Sequence, residues 1–153
     1  MASRKGGENF IEPIGVQDSE RYAAKLTVNG QRLPDPYYAV RKEEWSTELG
    51  DIPHVIFPDI YVYCVHKMGI YTQDQMCAFR SLEAHNYFLN GFVGEIRTKT
   101  FKIASAGSPK VVFMRSDVLP SQRVGKTSKP YHTWVLCRTT GEVLSAHCTC
   151  MAG

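Results

Sequence analysis

The chain has little net charge and no long apolar run. Its 153 residues hold 18 Lys and Arg against 15 Asp and Glu, a formal charge of +3. That excess is too small to imply a nucleic-acid partner from composition. No stretch reaches the ~18 consecutive apolar residues of a membrane-spanning helix. The opening Met-Ala-Ser-Arg-Lys-Gly-Gly-Glu-Asn has no apolar segment after its basic residues, as a secretory signal would. An intracellular protein, of nucleus or cytoplasm, is expected. Signatures of catalysis are also missing. There is no G-x-S-x-G, P-loop, dinucleotide fingerprint, H-E-x-x-H or C-x-x-C. Glu43 and Glu44 are adjacent and on a helix would splay about 100° apart, so they do not converge as an acid/base pair. A non-enzymatic chain is expected.

What is present is enough for one core. The chain is 43% apolar and 11% aromatic, which excludes general disorder and sets a single domain. Residues 1–17, with Gly6, Gly7, Pro13 and Gly15, read as a disordered tail, and 18–130 as an α+β scaffold. Ser19 reads as a helix N-cap and Asn29-Gly30 as that helix's stop. Residues 42–48 read as a helical turn anchored by Trp45. His54–Phe57, between Pro53 and Pro58, reads as at best an edge strand. Ile60–Val65 is β-branched and aromatic and reads as a buried strand. Thr72 and Gln75 form a capping-box pattern opening a helical stretch with Met76 and Phe79. Ser81 reads as the cap of a second helix, or as a bend in one helix near Arg80-Ser81, with Leu82, His85, Leu89, Phe92 and Val93 near one face. Residues 100–104, 110–114 (with a possible extension to Leu119), 131–137 and 143–148 read as strands, the last two joined by a turn at Arg138–Glu142. The expected fold is α+β. A helical segment lies between β regions, and an antiparallel C-terminal meander closes the chain.

The five cysteines are Cys64, Cys77, Cys137, Cys148 and Cys150. An odd number without a signal peptide does not read as a disulfide framework. Cys148 and Cys150 are two apart, so on a strand both thiols face one side and can grip one metal ion. Zn²⁺ suits thiolate ligands, and a closed structural site takes four. Spacing alone leaves open that these are incidental thiols or a redox pair. His147 lies on the opposite face of such a strand and reads as packed or solvent-facing. Cys64 and His66 would share a face of the 60–65 strand, with a buried Cys beside a surface His as the simpler reading. Tyr61, Tyr63 and Tyr71 could stack bases but read better as core or rim. The loop with Arg123, Lys126 and Lys129 could contact phosphates, though most such loops are simply solvated.

The segment Gly141–Gly153 resembles the opening of a SWIM-type zinc finger, which uses a C-x-C presented by a hairpin and then a C-x-H. Cys148 and Cys150 match the first two ligands of that family. The likeness runs from about residue 35. Asp35-Pro36-Tyr37, Trp45, Asp59-Ile60-Tyr61, Tyr71-Thr72, Ser81–Ala84, Asn86-Tyr87-Phe88, Ser121-Gln122-Arg123 and Trp134-Val135 are similar to the region before the finger in animal SWIM-domain proteins. Some of those look derived from mobile elements, and many carry a YqaJ-type recombinase domain after the finger. The resemblance implies zinc binding by Cys148 and Cys150, and a role in protein or DNA interaction. It assigns residues 131–153 to the N-terminal half of the finger. No C-x-H follows before Gly153. The chain is expected to be a fragment cut inside the finger, with water or His147 completing a weaker zinc shell.

Overall fold

Helix α1, Val16–Lys25, carries Asp18 in its first turn and Lys25 in its last, both favoured by the helix dipole. The computed structural model describes residues 16–48, 50, 52–69, 72–74, 76, 83–104, 109–120 and 128–150. Ser19 lies inside α1 rather than capping it. Asn29 and Gly30 do not stop the helix either. Their φ angles of 50° and 77° make the two-residue turn between β1, Thr27–Val28, and β2, Gln31–Arg32. A tight hairpin needs positive φ at both central positions, and Asn-Gly supplies it.

A strap follows. Pro36 is fully buried, and a 3₁₀ turn at Lys42–Glu44 delivers Trp45 to the core at 8% exposure, as expected. His54 to Ile56 form no strand. The expected buried strand at Ile60–Val65 is overturned. Helix α2, Phe57–Tyr61, runs on as a π-helical turn, Val62–Lys67. The physical reason lies just upstream. Pro58 sits in the first turn, where a missing N–H costs nothing, and the Asp59 carboxylate accepts the Ile56 N–H at 2.9 Å. These signals outweigh the β propensity of the run. Tyr61 and Tyr63 therefore do not share a face, and neither do Cys64 and His66. Tyr63 is buried, while Tyr61 stacks edge-on to His66. Met76 N–H bonds to the Thr72 carbonyl, but Gln75, Phe79, Ser81, Leu82 and the His85 side chain lie outside the described residues. Helix α3 covers Glu83–Leu89 and leaves Leu89 exposed, with Phe92 and Val93 beyond its end.

The C-terminal half is the expected antiparallel meander. Strands β3, Arg97–Lys102, β4, Lys110–Val118, β5, Tyr131–Arg138, and β6, Val143–Cys148, lie in the order β3-β4-β5-β6. One sheet face carries Val111, Phe113, Trp134 and Leu136 and is covered by Tyr22, Leu26, Val28, Leu33, Val40 and Trp45. On the other face Val135, Cys137, Val143 and Ala146 pack against Val55, Tyr63 and Cys64. The fold is thus α+β, with helices before a four-stranded antiparallel sheet. Among the described residues no helix is long and apolar enough to cross a membrane.

One bulge sets which side chains of β6 face which way. Leu136 pairs with Ser145 but Cys137 pairs with Val143, so Leu144 has no partner and bulges. The turn before it is pinned to the π-helical turn. Glu142 accepts Lys67 Nζ and Arg138 Nε, each at 2.9 Å, and these cations hold its carboxyl below the usual range. Gly141, at φ +105°, packs so closely that a Cβ there would stand 2.3 Å from the His54 carbonyl oxygen. Gly141→Ala is expected to cost about 2–3 kcal/mol through backbone strain and this clash. Urea denaturation of the two proteins measures it.

Candidate metal centre

β6 brings the C-x-C to one end of the sheet. Thr133 of β5 lies opposite Cys148, and Trp134 lies opposite His147. Pairing continues one residue past the strand. The Thr149 N–H donates to the His132 carbonyl at 3.0 Å, and the His132 N–H donates to Thr149 Oγ1 at 2.9 Å. The chain then turns, and the Cys150 N–H donates to Cys148 Sγ at 3.2 Å. Both cysteines are half-buried.

Burial, and then a thiol–thiol hydrogen bond with Cys150, push the Cys148 thiol up to about 11; the N–H of Cys150 offsets part of this. At neutral pH Cys148 is therefore a protonated thiol. That is the opposite of an activated redox cysteine, whose thiolate is stabilised. A metal changes the balance, because a cation replaces the proton on sulfur. Two soft sulfur donors two residues apart, one already accepting a backbone N–H, fit half of a tetrahedral zinc shell. Among the described residues no group of three or more His, Cys, Asp or Glu gathers around a common point.

His147 faces away from the thiols, as strand alternation requires. It packs in an aromatic cage, 4.7 Å from Tyr22 edge-on and stacked on Trp134 at 6.1 Å. Burial first, and then Lys25, hold its pKa below the usual imidazole range. Its Nδ1 lies 3.1 Å from the Tyr37 hydroxyl. That hydroxyl also lies 2.9 Å from the His132 carbonyl oxygen, which can only accept. A hydroxyl has one proton, so it donates to the carbonyl, and His147 must donate Nδ1–H in turn. The proton count assigns the Nδ1–H tautomer to His147.

Tyr37 is itself held. Asp35 Oδ1 accepts the Tyr37 N–H at 2.8 Å and the Tyr22 hydroxyl at 3.0 Å, and Trp134 Nε1–H donates to Tyr22 at 3.2 Å. Arg115 donates to the Pro36 carbonyl at 3.0 Å and lies over the Tyr37 and Trp45 rings. Burial raises the Tyr22 and Tyr37 hydroxyls well above their usual range, so both stay neutral. Sequence reasoning missed this network. The one local signal is Asp-Pro-Tyr, a turn in which the Asp accepts the N–H two residues on. Nothing in the spacing links residue 37 to residue 147.

The other expected sites separate. Cys64 and Cys137 pack within or against the second core cluster, and burial raises both thiols. Tyr63 lines a cavity of about 250 Å³ with Lys25, Met68 and Leu144. Lys129 is exposed at the end of the sheet where β5 begins and β6 ends, while Arg123 and Lys126 lie outside the described residues. No family model, curated protein or solved structure matches the chain.

At pH 7 a thiol titrating near 11 holds about two orders of magnitude less thiolate than a free cysteine. Alkylation of Cys148 by iodoacetamide, followed by peptide mass mapping, is expected to be slow at pH 7. It should quicken about tenfold per pH unit up to pH 10. A Cys148 already reactive at pH 7 would contradict the assignment.

Proposed function

We propose that the chain is a non-catalytic zinc-binding module of the SWIM-finger type. Cys148 and Cys150 are two of its ligands, and its role is interaction with protein or DNA. The observation that carries this reading is the sulfur pair at the end of a hairpin, with Cys148 Sγ accepting the Cys150 N–H. A hairpin fixed in a sheet can present two thiolates without paying to order them. Zinc, when bound, supplies a cross-link between the strand end and whatever completes its shell. Proton release from Cys148 makes metal affinity rise with pH across the neutral range.

The basic loop before β5 gives the interaction reading a direction. Lys129 stands at the same end of the sheet as the C-x-C. Lys129 is exposed there and is of the type that contacts phosphates. The thiol-redox alternative is disfavoured by a Cys148 held protonated.

Titration of the reduced protein with Co²⁺ tests the reading. Thiolate-to-cobalt absorption in the near ultraviolet is expected, with displacement by Zn²⁺. Both are lost in a Cys148→Ser, Cys150→Ser double variant that still folds. Chelator should lower the melting temperature of the zinc-loaded protein. Melting that ignores chelator, with no cobalt spectrum, would leave a metal-free interaction fragment instead.

A further inference from the structure

The Tyr37 hydroxyl touches both the strand that leads into the thiols and the strand paired with it. It donates to the His132 carbonyl on β5 at 2.9 Å and accepts the His147 Nδ1–H on β6 at 3.1 Å. His132 is the residue whose backbone pairs with Thr149, between the two cysteines. His147 is the residue before Cys148. One oxygen thus bonds the backbone carbonyl that pairs with Thr149 and the side chain of the residue before Cys148, from a strap 95 and 110 residues away in sequence. The strap cannot easily yield. Asp35 holds the Tyr37 N–H, and Arg115 holds the Pro36 carbonyl and covers the ring. Without this fastening the end of β6 keeps its pairing with Thr133 and His132 and the packing of the His147 ring on Tyr22 and Trp134, and strand ends are where local opening costs least.

We propose that Tyr37, acting through His147, is a positioning residue for the thiolate pair. It sets the sulfur spacing that the metal meets, and it never touches the metal. The proposal rests on the reading of Cys148 and Cys150 as ligands. Groups that orient ligands without binding the ion typically change metal affinity by about 10- to 100-fold. Tyr37→Phe removes only the hydroxyl. The ring keeps its stack on Tyr22, at 6.3 Å, and its cover by Arg115.

Two measurements on the full chain test this. The first is amide hydrogen exchange of the metal-free protein. Tyr37→Phe should speed exchange at Thr149 and Cys150 by about tenfold or more, and leave Val111–Phe113 in the sheet centre unchanged. The second is Co²⁺ affinity, which should fall about tenfold in Tyr37→Phe and stay unchanged in Tyr38→Phe, at an exposed neighbouring tyrosine. His147→Asn keeps a side-chain N–H close to the position of Nδ1 and should retain affinity, whereas His147→Leu should lose it. Equal exchange and equal affinity in Tyr37→Phe overturn the proposal. Equal exchange at Thr149 and Cys150 alone is enough to do so. Absence of cobalt binding in the unaltered protein instead removes the ligand reading, and the positioning role falls with it.

Discussion

Two-sided burial of strands β4 and β5 is the constraint on which the rest of this structure depends. Val111 and Phe113 point to one face, and Val112 to the other, and all three are buried. Trp134 and Leu136 do the same against Cys137 on β5. An antiparallel sheet can leave one face wet, but here neither central strand has a polar face to offer. Each face therefore needs its own cover, and the N-terminal half supplies two. Helix α1, the β1–β2 hairpin and the strap through Trp45 close the first face. The Val55–Cys64 segment closes the second. The helical part of the chain is a pair of lids cut to the sheet.

The site inherits its rigidity from the first lid. Tyr22 and Trp45 are placed by the core, and Asp35 and Arg115 join them to the Pro36-Tyr37 strap through three hydrogen bonds and ring contacts. Tyr37 then reaches the end of β6 through His132 and His147. This is a line of packed and hydrogen-bonded groups from the protein's centre to its strand end. In a low-dielectric surround each such bond is stronger than in water, and each is costly to leave half-made. A neutral His147 suits the arrangement. Charging it beside Lys25 within an aromatic cage would work against the same burial that fixes it.

Local chemistry made the sheet legible, and tertiary context hid the rest. The runs 110–118, 131–138 and 143–148 are long, apolar and separated by turn residues, so strand is the reading that survives. Ile60–Val65 has the same composition, yet it is helical. A short apolar run does not distinguish a buried strand from a buried helix, and the deciding signals lay just upstream, in Pro58 and Asp59. Asn29-Gly30 suits either a helix end or a hairpin turn, and only the partner strand decides. At the site, alternation separates His147 from Cys148, while Cys150 lies past the end of β6, where the chain turns and its N–H donates to Cys148 Sγ. The contacts of Tyr37 with His132 and His147 span 95 and 110 residues, and no local pattern encodes them.

The edges of the sheet explain why the strand end matters. An open edge invites pairing with another chain, and both edges here are blunted. On β3, Thr98 exchanges two backbone hydrogen bonds with Ser46, and the Gln31 side chain takes up Lys102 O and Ala104 N–H. On β6, Lys67 donates to the Val143 carbonyl. Backbone pairing is thereby spent within the chain at these positions. The polar chemistry that β6 still offers lies at its tip, in two sulfurs and one N–H. On the proposed zinc reading, the proton held on Cys148 is what a metal ion would displace.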